Sequence, residues 1–440
     1  MTREYTAVIQ AGGKGTRMRE LTGDRIPKPM LELGGKPMIQ WQVENLKKYG
    51  IRKFVFIIGH LGEKVKDYFG DGTAFGVHIS YVEENEPLGS GGALCYLKDM
   101  VGASDVLLVF GDVMFDIDAP RLLGFHEEKK AGVTLLVHPN AHPQDSDLVI
   151  MDENSKVLRF DFAKNQRDYY YDNCVNAGIY VLANEVIKSL GEPAPLDLEK
   201  ELFKPALEGG KIYGYRTTEY VKDAGTPKRF RAVERELLQG IWQSRNLESS
   251  QKCVFLDRDG TLNIYKGLIS SPEELELEAG VAEAIALLNA AGYLAIMVTN
   301  QPVVARGLCS MEEVREIHKK LSVLLGEQGA YLDDMIFCPH HPDKGYPEEN
   351  PAYKIPCHCR KPDTGMVEEM AEKHHVDRKN SWFVGDTTVD IKTGQNAGLH
   401  TALVKTGEAG TDGKYEVQAE LVAENLLEVV KKILAERKPQ

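Results

Sequence analysis

The stretch "KCVFLDRDGTLN", residues 252–263, runs an apolar segment into two aspartates two positions apart. If the chain stays extended there, Asp257 and Asp259 project to the same side, because side chains alternate along a strand. One such carboxylate can attack phosphorus while the other handles the proton. Two adjacent anions repel each other and a phosphate, so the scheme requires Mg²⁺ and nearby cations. A lone Asp-x-Asp-Gly would be assigned to an Asx-turn at a strand exit. The companions elsewhere in the chain argue for chemistry.

Two further clusters could do chemistry. "CPHHPDKGYPEENPAYKIPCHC", residues 338–359, pairs Cys338-x-His340 with Cys357-x-Cys359 across a Pro-rich loop. Three thiolates and one imidazole suit a closed, structural tetrahedral zinc site, with His341 and His358 as spare imidazoles. Near the start, "QAGGKGTRM", residues 10–18, follows an apolar strand, and its glycines permit close approach of backbone amides to phosphate. Lys14 and Arg17 add positive charge. The spacing fits neither a Walker loop nor a dinucleotide fingerprint.

These residues need elements to hold them. Short apolar runs at Ala7–Ile9, Phe54–Ile58, Val106–Phe110 and Val133–Val137 alternate with helical periodicity such as Met38–Tyr49. The alternation restarts at Cys253–Leu256 and continues through Leu294–Val298, Asp334–Phe337, Trp382–Val384 and Thr401–Val404. That pattern predicts an α/β protein of two Rossmann-like three-layer domains with mainly parallel sheets. We place them at residues 1–236 and 252–440, with 237–251 as the linker. "NLLEVVKKILAERK" at the end has helical spacing and should pack back on the second sheet.

The length of 440 residues also requires more than one core, since domains usually run about 100–200 residues. A net charge of −13 argues against nucleic-acid or anionic-membrane partners, so phosphorylated ligands must be held by local cations or metal ions. Ala284–Thr299 is the most apolar stretch and falls short of a membrane span of about 20 residues. It reads as a core helix followed by a core strand. Met1–Tyr5 lacks the sections of a signal peptide. Cys95, Cys174, Cys253 and Cys309 stand alone and read as buried small apolar residues. Together these features point to a reducing cytoplasm.

The glycine-rich turn is followed by "IPKPMLELGGKPMIQWQVENL", then "ENEPLGSGGAL" (85–94 within it), "FGD" ending at Asp112, "NAGIYVL" from Asn176, and "DAGTP" from Asp223. In this order the motifs resemble the sugar-1-phosphate nucleotidylyltransferases. The resemblance implies attack of a sugar-phosphate oxygen on the α-phosphorus of a nucleoside triphosphate, with release of pyrophosphate. It assigns Gly12, Gly13, Gly15, Thr16 and Arg17 to the triphosphate, Lys28 to the phosphates being joined, and Gly89 to the base and ribose. Asp112 and Asp223 would hold Mg²⁺, and Asn176 and Gly178 would face the sugar. Where relatives often carry Glu-Lys-Pro, this chain has "FDFAKNQRDYYYDN", with Lys164 as the candidate replacement.

In the second half, "LDRDGT", "VTNQ", "CRKPDTGM" and "FVGDTTVD" resemble the haloacid dehalogenase superfamily of phosphatases. That resemblance implies Asp257 as nucleophile, Asp259 as acid and base, and Thr299 with Asn300 at the phosphoryl group. Lys361 and Arg360 would neutralise charge. Mg²⁺ would sit on Asp257, Asp259 and Asp386, with Asp390 supporting. The zinc loop and "NQPVVARG" narrow the resemblance to the D-glycero-D-manno-heptose 1,7-bisphosphate phosphatases, whose histidinol-phosphate phosphatase relatives share the same core.

Joined, the halves imply removal of the 7-phosphate followed by nucleotidyl transfer to heptose 1-phosphate, with GTP as the favoured nucleotide. A histidinol-phosphate phosphatase joined to a hexose-1-phosphate nucleotidylyltransferase is the second reading. A sugar-nucleotide-binding regulator with an inactive first half is the third. The oligomeric state is left open, a homo-oligomer included.

Overall fold

The apolar run after Glu4 forms strand β1, Tyr5–Gln10, at the centre of the first sheet of a computed structural model that describes residues 3–13, 15–343, 345 and 348–435. Lys14 lies outside the described residues. Successive side chains of β1 enter opposite cores: Ala7 and Ile9 join one apolar cluster, Val8 the other. Strand β2, Lys53–Ile58, repeats this, with Phe54, Phe56 and Ile58 on one face and Val55 and Ile57 on the other. A sheet buried on both faces needs uninterrupted apolar strands, which is why these segments do not alternate with polar residues.

Helix α1, Met38–Lys48, precedes β2, and α2, Gly62–Phe69, leads to β3, His78–Glu83. Next come β4, Asp105–Phe110, β5, Val113–Asp116, α3, Ala119–Lys129, and β6, Val133–His138. Then follow β7, Leu148–Met151, β8, Val157–Asp161, β9, Val175–Leu182, β10, Ile212–Arg216, β11, Tyr220–Asp223, and α4, Pro227–Leu238. The sheet runs β8-β7-β9-β4-β1-β2-β3, with β6 paired to β9 and β10 to β6. From β3 to β4 it is parallel, and beyond β4 the pairing of β9 with β4, β6 and β7 is antiparallel. Because β4 and β2 flank β1, the chain leaves β1 in opposite directions, which opens a crevice at the carboxyl ends of these strands. Strands β5 and β11 form a separate antiparallel ribbon in which Asp223 faces Val113.

The second sheet is parallel throughout, in the order β14-β13-β12-β15-β16-β17. Its strands are β12, Cys253–Leu256, β13, Leu294–Asn300, β14, Asp334–Cys338, β15, Trp382–Gly385, β16, His400–Val404, and β17, Leu421–Ala423. Val254 and Leu256 enter one core, Cys253 and Phe255 the other. The longer helices are α5, Val281–Ala290, α6, Met311–Glu327, α7, Gly365–Lys373, α8, Thr388–Asn396, and α9, Leu426–Ala435. Helix α9 places Leu426, Val429, Val430 and Ile433 in the core shared with β12. The apolar stretch from Ala284 divides between α5 and β13, and no helix among the described residues is long and apolar enough to cross a membrane. Strand β12 occupies the position that β1 holds in the first sheet, with β13 on one side and β15 on the other.

The chain divides into two compact units. The first comprises residues 1–138, 147–162 and 174–246, and the second 139–146, 163–173 and 247–440. Residues 237–246, placed in the linker from sequence, pack as part of the first unit. Trp242 is fully buried there, its ring 5.6 Å from Trp41 and 5.1 Å from Tyr220. Of the isolated cysteines, Cys174 and Cys253 are buried, whereas Cys95 and Cys309 are only partly so. Replacing Trp242 by Ala should leave a cavity between these aromatic rings. The expected loss is about 3–5 kcal/mol in the unfolding of the first unit, read from a denaturant melt.

Candidate functional sites

The crevice beyond β1 and β4 is a cleft of about 320 Å³, lined by Gln10, Gly13, Gly15, Thr16, Arg17, Lys28, Ser90, Phe110, Asp112 and Gly225 among others. Asp112 stands in the turn between β4 and β5, and the β5–β11 register brings Asp223 beside it, with Ala224 N–H donating to the Asp112 carbonyl at 2.8 Å. Lys28 bonds the Asp112 carboxylate, and Arg229, in the first turn of α4, bonds that of Asp223. Gly225 sits where these groups converge. A Cβ there would lie 2.5 Å from Asp223 Oδ1 and 3.2 Å from both Arg17 Nη2 and Lys28 Nζ, so no other residue fits without displacing them. Glu84 presses its carboxylate against Gly12, where a Cβ would collide with Oε2, and burial pushes its carboxyl above the ordinary range. Gln10 donates to the Gly89 carbonyl at 3.1 Å, which ties the glycine-rich turn to the segment carrying Gly89.

The residues expected at the sugar sit deeper. Asn176 does not present a free amide: it donates to Tyr180 Oη at 2.9 Å and to Glu199 Oε1 at 3.0 Å. Gly178 N–H turns back to Asn176 Oδ1 at 3.3 Å.

At the exit of β12, Asp257 joins Asp386, from the end of β15, and Asp390, in the first turn of α8, with oxygens within 4.8 Å of one another. Lys361 is the cation among them, its Nζ 2.7 Å from Asp257 Oδ1 and 2.6 Å from Asp390 Oδ1. Asp390 also caps α8, its other oxygen accepting from Thr387 N–H at 3.1 Å and Thr387 Oγ1 at 2.6 Å. Burial, and then the neighbouring carboxylates Asp257 and Asp390, push the Asp386 carboxyl up to about 8. Burial and Asp390 likewise raise Asp257. Burial alone would lower Lys361, but Asp257 and Asp390 outweigh it and raise it. Asp386 Oδ1 is buried with no hydrogen-bond partner. An orphaned carboxylate oxygen beside two more carboxylates and one ammonium is a site short of positive charge, and oxygen donors of this kind suit Mg²⁺.

The structure does not bring the Asp259 carboxylate into this group. Arg258, fully buried, holds it with bonds of 2.8 and 2.9 Å from Nη2, and Gln301 Nε2 donates to it at 2.8 Å. Arg258 Nε adds a contact at 3.1 Å and Asn263 Nδ2 another at 3.2 Å. A buried guanidinium requires a carboxylate partner, and Asp259 is the one it has. Its place as the third carboxylate is taken by Asp390. Thr299 is buried and accepts from Gln301 at 3.0 Å. Asn300 spends both ends of its amide on the Lys361 main chain, at 3.0 and 3.1 Å, so it positions the lysine. Arg360 donates to the His340 carbonyl at 3.0 Å and thereby joins the segment carrying Lys361 to the cysteine loop.

Cys338, His340, Cys357 and Cys359 come together with donor atoms within 4.8 Å of one another. Sulfur–sulfur separations of 3.1, 3.2 and 3.5 Å are too long for a disulfide bond and leave a centre four soft ligands can share. Burial, and then the neighbouring Cys359, raise the Cys338 thiol.

The nucleotidyl transferase family model matches residues 6–240, and a HAD-hydrolase-like model matches residues 358–429. The chain is 34% identical over 242 residues to a mannose-1-phosphate guanylyltransferase of Mycobacterium tuberculosis, covering 54% of this chain and 66% of that relative's length. It is 37% identical over 182 residues to the D-glycero-beta-D-manno-heptose-1,7-bisphosphate 7-phosphatase of Haemophilus ducreyi, covering 41% of this chain and 97% of that relative. The chain belongs to the nucleotidyl transferase family and, through its second half, to the heptose bisphosphate 7-phosphatase family. Among solved structures, a D,D-heptose 1,7-bisphosphate phosphatase from B. bronchiseptica, complexed with magnesium and phosphate, is 33% identical with a TM-score of 0.37. That match covers 42% of this chain and 99% of the other.

Several residues of the phosphatase domain escaped the sequence reading. Glu408 N–H donates to Asp386 Oδ2 at 2.8 Å, and Gly407, at φ +60°, lets the backbone pass against Asp386 and Gly260 where a Cβ would collide. The signal was present as "KTGEAG" directly after β16. Arg258 and Gln301 stood inside quoted motifs, but nothing in their spacing says which carboxylate they hold.

Asp386 yields two expectations about the metal-free phosphatase domain. Its carboxyl retains a proton, up to about pH 8, that the unfolded chain has already released, so stability falls as pH rises through that window. The rise in thermal midpoint on adding Mg²⁺ should therefore be larger at about pH 8 than at about pH 6; an equal or smaller rise would contradict the charge deficit. For the cysteine loop, metal analysis should return one zinc per chain. Cys359→Ser should lose it and destabilise the phosphatase domain by several kcal/mol, about the scale on which structural zinc contributes to folding.

Proposed function

We propose that the chain is a bifunctional enzyme of nucleotide-activated heptose formation. The phosphatase domain removes the 7-phosphate of D-glycero-D-manno-heptose 1,7-bisphosphate, and the transferase domain then joins a nucleotidyl group, GMP favoured, to heptose 1-phosphate. The observation that carries this reading is the pairing itself: one half belongs to a family named for releasing a sugar 1-phosphate, and the other to a family that consumes one.

In the phosphatase, Asp257 Oδ1 is engaged by Lys361, which leaves Oδ2 to attack the 7-phosphorus. The new bond makes a phosphoaspartate as the bond from phosphorus to the C7 oxygen breaks. Asp259, protonated on entering the cycle, gives its proton to that leaving oxygen and, then a carboxylate, takes one back from the water that hydrolyses the phosphoaspartate. Its contacts with Arg258, Gln301 and Asn263 are all donated to it, the pattern of a carboxylate poised to accept. Mg²⁺ held by Asp257 and Asp386 would supply charge to the phosphoryl oxygens. Arg360 has guanidinium nitrogens beyond the one given to His340, and they suit the second phosphate of a bisphosphate.

In the transferase, a heptose 1-phosphate oxygen attacks the α-phosphorus and pyrophosphate departs. No covalent protein step is needed, so positioning and neutralisation by Arg17 and Lys28 account for the chemistry. Asp112 and Asp223 would hold Mg²⁺, the remaining oxygens coming from phosphate and water. Guanine is favoured because the relative that the first half matches is a mannose-1-phosphate guanylyltransferase.

Purified protein given heptose 1,7-bisphosphate, Mg²⁺ and each nucleoside triphosphate in turn should yield GDP-heptose, identified by mass, with one phosphate and one pyrophosphate released. Asp257→Asn should stop this from the bisphosphate and leave transfer to heptose 1-phosphate intact. Undiminished phosphate release by that variant would sink the phosphatase assignment, and product formed only with another triphosphate would sink the choice of GTP.

A further inference from the structure

The face that helix α1 buries is made by Met38, Ile39, Gln42, Val43 and Leu46, at the spacing of an amphipathic helix. Its polar member, Gln42, is fully buried. Gln42 Nε2 donates to the Phe110 carbonyl at 3.0 Å and to the Val113 carbonyl at 2.6 Å. Reversing the amide would set its oxygen against two carbonyl oxygens, so these acceptors decide which end faces them. Gln42 Oε1 is then left buried with no partner among the described residues. A Leu or Met would pack the same face without burying an unused acceptor, so the packing of α1 alone does not account for an amide here.

What the amide holds is the turn that carries Asp112. Phe110 ends β4 and Val113 begins β5, so one side chain clamps both ends of the Gly111–Asp112 turn. The pairing of β4 with β9 stops at Val109, and with β1 at Phe110. Beyond that edge Gly111 N–H donates to the Gln10 carbonyl at 2.9 Å, and the Asp112 carbonyl accepts from Ala224 N–H at 2.8 Å. The turn is thus fixed from three directions: by β1, by the segment after Asp223, and by α1 through Gln42. The Asp112 carboxylate bonds Lys28 and stands beside Asp223, and two carboxylates from adjoining strand ends suit a hard cation such as Mg²⁺.

We propose that Gln42 is a positioning residue of the transferase, its amide fixing where Asp112 presents its carboxylate to a metal-bound triphosphate. The inference rests on the transferase reading given above. Gln42 does not line the cleft, so its influence passes through Asp112. A displacement of about 1 Å at a reacting centre can cost about a hundredfold in rate, which is the scale of what the clamp protects.

The test compares Gln42→Met with the unmodified full chain. Binding of a GTP analogue with a methylene bridge between its α- and β-phosphorus is followed by calorimetry with and without Mg²⁺, and pyrophosphate release from GTP and heptose 1-phosphate is followed as Mg²⁺ is varied. Gln42→Met should need at least about tenfold more Mg²⁺ for half-maximal transfer and lose at least about fivefold of the gain in analogue affinity that Mg²⁺ brings. Analogue affinity without Mg²⁺, the KM for heptose 1-phosphate and the phosphatase rate should stay within about twofold. Asn45→Leu is the control. Asn45 Nδ2 ties the same helix to Asp116 Oδ1 at 2.9 Å, at the far end of β5, so its loss should lower the thermal midpoint without moving the Mg²⁺ requirement. An unchanged Mg²⁺ requirement in Gln42→Met, or the same shift in Asn45→Leu, overturns the proposal and leaves the transferase reading intact. If unmodified protein neither binds the analogue nor transfers a nucleotide, that reading fails, and this inference with it. If Gln42→Met loses its folded thermal transition, Gln42→Asn, which keeps the amide but ends one methylene short of the turn, decides by the same split.

Discussion

Three carboxylates and one ammonium are confined to a space a few ångströms across at the exit of β12, and the local structure of the second unit follows from that imbalance. Repulsion among buried anions is far stronger than in water, so each must be given a donor or a cation. Lys361 serves two of them. The capping of α8 serves Asp390 a second time, and the Gly407–Glu408 backbone brings an N–H to Asp386 only because no side chain intervenes at Gly407. What remains unmatched is Asp386 Oδ1. A centre left short of one cation is less stable empty, and the same shortage gives it affinity for an ion and for the phosphoryl group that accompanies it.

The transferase cleft meets the same problem in another way. Asp112 and Asp223 are each half-exposed and each has its own cation, Lys28 or Arg229, so the protein alone is close to balance there. Under the proposed reaction, a triphosphate arriving with its metal would add both signs of charge together. With a net charge of −13 on the chain, the local cations Arg17, Lys28 and Arg229 concentrate the attraction where the phosphates belong instead of spreading it over the surface.

Much of this architecture could be read from sequence because the signals were local. Apolar runs buried on both faces marked β1, β2, β12 and β13, and paired ligands two residues apart marked the cysteine centre. The antiparallel half of the first sheet and the β5–β11 ribbon were not legible, since pairing partners of strands separated by a hundred residues leave no periodic trace. The side-chain choices were hidden for a related reason. Period-two spacing puts Asp257 and Asp259 on one side of an extended chain, yet a buried Arg258 between them claims Asp259. Asn300 reads as a ligand for phosphate, but its amide matches the main chain of Lys361. Trp242 was placed in a linker because the polar residues after it resemble one, while Trp41 and Tyr220, distant in sequence, supply the rings that bury it.

If the two domains act in the proposed order, the phosphatase must discriminate between two phosphates of one molecule. Removing the anomeric phosphate would destroy the only nucleophile the transferase can use, so selectivity matters more than rate. The strand-end constellation of Asp257, Lys361 and Asp386 could not provide it, since in the proposed reaction it would contact only the phosphoryl group under attack. Discrimination has to come from what holds the remainder of the substrate at a fixed distance. Arg360 is suited to that task because its main chain continues into Lys361 while its guanidinium is fixed to the His340 carbonyl. The cysteine cluster would then matter to catalysis without touching the reaction, because four side chains drawn from β14 and the loop before Arg360 would set how far a second phosphate can lie from the first.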